Sequence, residues 1–239
     1  MNLIDVNSIN SIQILKGPEG SIFGANTGGV ILLDTKSKSD ASIAEASIRI
    51  GSFGLFDEQF RIDKKWKHYS LNINEAYQQS NGYRRNSFFQ RNYLQVVQVW
   101  NYKKGVVKLF LLGSKLHYET PGGLTLLQSE EDPRQARPAT SNLPGAQEQK
   151  AGVYNTTLYA GISNEIHLLP VLRHVIILFG SYTDFKNQFI TNYEIQKGPT
   201  SGLRTYLELG KIMPIVNWKW DIGFEWQQTK SAVSNSDNN

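Results

Sequence analysis

Ile12-Gln13-Ile14-Leu15-Lys16-Gly17-Pro18-Glu19-Gly20-Ser21-Ile22-Phe23-Gly24-Ala25-Asn26-Thr27-Gly28-Gly29-Val30-Ile31-Leu32-Leu33-Asp34-Thr35-Lys36 is the stretch on which the reading of this chain turns. Two short apolar runs rich in β-branched residues flank a middle that holds five of the twenty glycines. Such a pattern predicts two strands joined by a tightly folded loop. The glycines also raise the question of a phosphate-binding loop. The Gly-Lys-Ser/Thr ending is missing, a proline interrupts the run, and the loop leads into a strand rather than a helix. Without a helix N-terminus to hold the anion, nucleotide binding is not supported.

Lys16-Gly17-Pro18, then Phe23-Gly24, then Gly28-Gly29-Val30-Ile31 together resemble the end of the plug domain of TonB-dependent outer-membrane receptors. The match is ungapped over about twenty-five residues, which makes it more specific than a lone glycine motif. The resemblance implies that everything after the plug is membrane barrel, and the rest of the chain tests that without reference to any family. Residues 1–36 are then the C-terminal part of a plug and 37–42 a polar linker, Ser37-Lys38-Ser39-Asp40-Ala41-Ser42. Residues 43–239 are expected to be the N-terminal part of a transmembrane β-barrel.

From Ile43 the period becomes two. Ala44, Ala46, Ile48 and Ile50 alternate with Glu45, Ser47 and Arg49, one face apolar and the other polar. Phe56, Phe60 and Ile62 continue the pattern, with Glu58 on the apolar side, and Tyr69, Leu71, Ile73 and Tyr77 form a third strand. Further strands are predicted through Leu94–Tyr102, Val106–Tyr118, Gly152–Ile162, His174–Phe185 and Leu203–Leu209. In the ninth, Trp218, Trp220, Ile222, Phe224 and Trp226 alternate without error with polar residues or glycine from Asn217 to Gln227. Its length matches the roughly 9–11 residues that carry a tilted strand across a bilayer, and its apolar face is expected to meet lipid. The prediction is an all-β chain: about nine strands of a partial antiparallel barrel.

The connections support the same architecture. Long loops are expected at 78–91, 119–150 and 186–201, the last on the strength of Gly198-Pro199, and short turns at the other ends of the strands. Long loops at one end and short turns at the other is the arrangement of outer-membrane barrels. The thirty-odd residues from Glu119 have no periodicity and read as structureless, and the tail Ser234–Asn239 reads as the start of another loop.

Composition narrows the function. The chain has no cysteine, so it has no disulfide framework, thiolate metal site or cysteine nucleophile. A net charge of +4 and a pI near 9.1 come without any run of five Lys/Arg, which argues against nucleic acid. No apolar run approaches the length of a spanning helix. No signal peptide opens the sequence, so an exported protein of this kind is expected to begin upstream. The histidines His68, His117, His167 and His174 are not spaced as ligands on one element, and no nucleophilic serine motif or convergent carboxylate pair stands out. The chain is not expected to be an enzyme, and no cofactor or metal is implied.

One loop carries a further resemblance. Thr120-Pro121-Gly122-Gly123-Leu124-Thr125 with Asp132-Pro133-Arg134-Gln135-Ala136-Arg137-Pro138 is similar to a segment of siderophore receptors of the ferric-citrate type. Arg134 and Arg137, with Arg84 and Arg85 of Asn81-Gly82-Tyr83-Arg84-Arg85, are candidates to attract an anionic ferric chelate. The competing reading gives these arginines to lipopolysaccharide phosphates, loop carboxylates or water. In full, the resemblance implies part of a transporter for active uptake of a ferric siderophore or citrate-like chelate in the outer membrane of a Gram-negative bacterium. It also implies energy delivered by TonB with ExbB and ExbD. The alternative is a complete small porin-like or soluble β-sheet protein, in which the Ile43–Gly51 and Asn217–Gln227 strands would pair and close the sheet.

Overall fold

The computed structural model describes residues 4–17, 29–35, 42–189, 192–212 and 217–237. Pro18, Phe23, Gly24 and Gly28 of the plug motif, linker residues 37–41 and the turn at Pro214 lie outside the described residues.

The two apolar runs of the opening stretch are strands β1 (Ser11–Leu15) and β2 (Val30–Asp34), antiparallel, with Leu15 opposite Val30 and Ser11 opposite Asp34. Gly29 closes this pair at φ +104°, and a Cβ there would lie 2.6 Å from the Leu15 carbonyl oxygen. Only glycine lets the second strand return so close to the first.

The rest is one large antiparallel sheet. Its strands are β3 (Ile43–Gly51), β4 (Leu55–Lys65), β5 (Tyr69–Ser80), β6 (Phe89–Tyr102), β7 (Gly105–Glu119), β8 (Gly152–Leu169), β9 (Leu172–Gln188), β10 (Asn192–Ile212), β11 (Asn217–Thr229) and β12 (Ala232–Asp237). Each pairs with its sequence neighbour from β3 to β11, and β12 continues along β10. The nine expected strands are present as β3–β11. The first and last lie at opposite ends of this order, so the closure required by a small complete barrel is absent.

Four expectations about connections are corrected. The loop read at 78–91 is shorter, because β5 runs to Ser80 and β6 begins at Phe89. The loop read at 186–201 is strand: β10 starts at Asn192 and carries Gly198-Pro199 within it. The tail is strand to Asp237. Residues 119–150, read as structureless, contain α1 (Leu126–Glu131), with Thr125 and Gln128 forming a reciprocal capping box.

Pro199 explains the break between β11 and β12. It sits opposite Lys230, and its carbonyl accepts from the Lys230 N–H at 3.0 Å. The return bond of that pair needs a Pro199 N–H, which does not exist. The register resumes unchanged, Thr200 opposite Thr229 on one side and Lys197 opposite Ala232 on the other. The two pieces are one long strand with a missing rung.

The two faces of the sheet are chemically opposite. One carries Leu94, Leu158, Ile162, Leu178 and Leu207 and the aromatic row of β11, all well exposed. Trp220, Ile222 and Phe224 are 65%, 68% and 60% exposed. Glu58 and Glu75 also lie on this face, opposite Tyr77 and Phe60 respectively. The other face is polar, with Asp57, Asp63, Asn74, Gln95 and Ser114 buried on it. A water-soluble sheet buries its apolar side; this one buries its polar side, the arrangement of a membrane barrel wall seen from its lumen.

Candidate functional site: a lumen-side seat and a folded loop cap

The segment before β1 is seated on the polar face. Asp5 pairs with Arg91 of β6 at 2.9 Å, with both side chains about nine-tenths buried, and the same guanidinium donates to the Ile4 carbonyl at 3.3 Å. Two residues along β6, the Tyr93 hydroxyl lies 3.1 Å from Ser8 Oγ and donates to Gln95 Oε1 at 2.7 Å. Arg91, Tyr93 and Gln95 share a face because strand side chains alternate. A cavity of about 500 Å³ separates Leu33, Asp34 and Thr35 from the lumen side of β6–β9. None of Asp5, Ser8, Arg91, Tyr93 or Gln95 was expected from sequence. Arg91 fell inside the loop read at 78–91, and the only available signal was the alternation of polar residues along β6.

A belt of alternating charge crosses the same face nearer the short turns. Lys108 of β7 and Arg173 of β9 bind the two oxygens of Glu165 of β8 at 2.6 and 2.8 Å. Arg173 also reaches Glu208 of β10 at 2.7 Å, and Lys219 of β11 meets Glu208 at 2.7 Å and Asp221 at 3.4 Å. Five strands are tied by one chain of ion pairs in which each inner member has two opposite partners. Sharing of this kind keeps partly buried charges compensated on the lumen side.

At the opposite end the long loop folds against its neighbours, and the four candidate arginines divide into two pairs. Arg84 donates to the carbonyls of Gln135 at 3.0 Å and Gly122 at 2.8 Å. Arg137 donates to the Pro144 carbonyl at 2.9 Å and to Gln149 Oε1 at 2.6 Å. These two guanidinium groups hold the loop together. Arg85 and Arg134 are exposed. Arg85 pairs with Asp132 at 3.0 Å. Arg134 donates to the Tyr83 carbonyl at 3.3 Å and lies over the rings of Tyr83 and Phe53, at 5.7 and 5.9 Å from their centroids. Those rings meet edge to face at 5.5 Å. Asn86 ties both ends of the long loop by donating to the carbonyls of Thr120 and Ala151. Gly122, at φ +73°, has no room for a Cβ, which would sit 2.8 Å from that of Arg137.

Of the plug motif, Lys16 and Gly17 follow β1, exposed, and Gly29 opens β2. Trp218, Trp220, Ile222, Phe224 and Trp226 all project from the face away from the seated segment. No described helix is long and apolar enough to cross a membrane, which says nothing against crossing by strands.

An open antiparallel wall with one polar and one apolar face, and a two-stranded sheet beside it, defines the class by fold: part of a β-barrel wall. The fold is the one that the resemblance to TonB-dependent receptors implies. Among solved structures, the unliganded ferric citrate transporter FecA superposes with a TM-score of 0.76 at 11% identity, over 98% of this chain and 36% of that one. The ferric preacinetobactin receptor BauA from Acinetobacter baumannii gives 0.73 at 14% identity, over 94% and 36%. The ferric-catecholate import receptor Fiu from E. coli K12 gives 0.69 at 13% identity, over 92% and 39%. These neighbours are transport proteins, not enzymes. The chain spans a little over a third of their length. No family model matches the chain.

Proposed function

We propose that this chain is part of a TonB-dependent outer-membrane transporter that takes up a ferric siderophore or a ferric citrate-like chelate. Residues 1–36 are the end of its plug, 37–42 a linker and 43–239 the first part of its barrel wall. The observation that carries the reading is the seating of Asp5 and Ser8 on the polar face of β6 while the opposite face stays apolar. A plug inside a barrel requires that polarity, and a soluble sheet would reverse it. The solved structures of similar fold include a ferric citrate transporter, a ferric preacinetobactin receptor and a ferric-catecholate import receptor, which supports an iron chelate as cargo. Work on the plug would come from TonB with ExbB and ExbD. The aromatic row Trp218–Trp226 would face outer-membrane lipid, and the loop end would face lipopolysaccharide.

Within this reading the chelate meets Arg85 and Arg134, whose guanidinium groups are exposed, while Arg84 and Arg137 shape the loop that presents them. The exchange of Arg85 and Arg134 for alanine in the full-length transporter is expected to weaken ferric-chelate binding by about tenfold or more, through lost charge-assisted hydrogen bonds. Uptake and binding indistinguishable from the parent would take both residues out of the site.

A further inference from the structure

The short-turn end of the sheet carries a concentration of positive charge that the transport reading does not use. Lys64 is the last residue but one of β4, Lys67 lies in the turn at 66–68, and Lys103 and Lys104 form the turn between β6 and β7; all are exposed. The two turns are neighbours, since the Asn101 N–H donates to the His68 carbonyl at 2.7 Å. Beneath them, on the apolar outer face, Trp66 stacks on Tyr69 at 5.2 Å and Tyr69 meets Trp100 at 5.3 Å. The Lys64 ammonium lies 5.9 Å from the centre of the Trp66 ring.

Among the described residues, the nearby acids do not neutralise this patch. Asp63 is buried on the lumen side with Arg61 at 2.6 Å, and Glu165 is held by Lys108 and Arg173. The next short turn along is approached by an apolar strand end, with Leu168 and Leu169 of β8 exposed. Lysines just beyond an outward aromatic stack, beside an apolar strand end, suit the border between hydrocarbon and headgroups. Trp and Tyr settle at headgroup level, and lysine reaches past them to the phosphate.

We propose that Lys64, Lys67, Lys103 and Lys104, above the Trp66–Tyr69–Trp100 stack, bind the phosphate headgroups of anionic phospholipid at the membrane face lined by the short turns. The site rests on the barrel reading. The outward direction of the stack selects lipid over a phosphate free in solution, because the aromatic side of the site is the side that meets acyl chains.

The test takes the full-length protein that contains this chain in zwitterionic detergent micelles, adds phosphatidylglycerol or phosphatidylcholine, and counts retained lipids by native mass spectrometry. Retention of phosphatidylglycerol is expected at least about tenfold tighter than that of phosphatidylcholine, from several lysines acting together. The variant K64Q/K67Q/K103Q/K104Q loses that preference, while K115Q/K150Q/K197Q/K230Q, with the same loss of charge elsewhere, keeps it. Equal retention of the two lipids by the parent chain overturns the site and leaves the barrel reading standing. Polyglutamate bound as tightly as phosphatidylglycerol, and lost in the same variant, assigns the patch to an acidic polypeptide instead. A circular-dichroism spectrum of the full-length protein without β-sheet in micelles overturns the barrel reading and the site with it.

Discussion

Arg137 shows how one side chain decides whether a long loop has a shape. Its guanidinium meets the Pro144 carbonyl and Gln149, and its backbone N–H donates to the Pro121 carbonyl at 2.7 Å while its carbonyl accepts from Ala146. Hydrogen bonds to a charged group contribute about 1.5–3 kcal/mol. Replacement of Arg137 by alanine is therefore expected to loosen residues 120–151 and speed their cleavage in limited proteolysis, with the strands unaffected; an unchanged cleavage rate would show that the loop holds without it. The sequence placed four arginines in the right pair of loops, because proline and glycine mark loops reliably. It did not say which were spoken for. Arg84 and Arg137 meet carbonyls that come close only after the chain has folded back by many residues. Asp5 and Arg91 were illegible for the same reason, since their pairing depends on how the segment before β1 lies against the wall.

Among the elements, the strands were legible where one face is apolar and the other polar. β11 was read almost residue for residue, because its aromatic row alternates with charges. The extension of β10 to Asn192 was not, because only Tyr193 and Ile195 mark an apolar face in Asn192-Tyr193-Glu194-Ile195-Gln196-Lys197 and Gly198-Pro199 mimics a turn. Such a stretch is strand only because β9 and β12 supply ladders on either side. Pro199 lies in a strand paired on both sides, and its missing donor costs a rung of the ladder toward β11 and β12. Its replacement by alanine supplies the N–H that the Lys230 carbonyl lacks. Amide exchange around Lys230 and Ser231 should then slow severalfold, in line with a net gain of about 1 kcal/mol. Exchange that is unchanged or faster would mean that the gap follows from something other than the absent donor.

At the scale of the molecule, the sheet is a wall with two free edges, β3 and β11. Unpaired backbone groups along an edge are costly in hydrocarbon, where water cannot reach them. Expressed by itself in the outer membrane, the chain is expected to support no chelate uptake, as measured by accumulation of radiolabelled iron; accumulation matching that of a full-length receptor would require the wall to close in some other way. The strands also lengthen along the chain, from nine residues in β3 to twenty-one in β10. At about 3.4 Å per residue that is about 30 Å against about 70 Å along the strand. With the short turns level at one end, the opposite lip is oblique, low above β3–β5 and high above β8–β10. The folded loop at 120–151 leans toward the turn at 52–54 and the loop at 81–88, over the low side. A particle arriving at this mouth therefore meets a rigid palisade on one flank and a hydrogen-bonded parapet on the other. The loop restores, by its own packing, the height that the early strands lack.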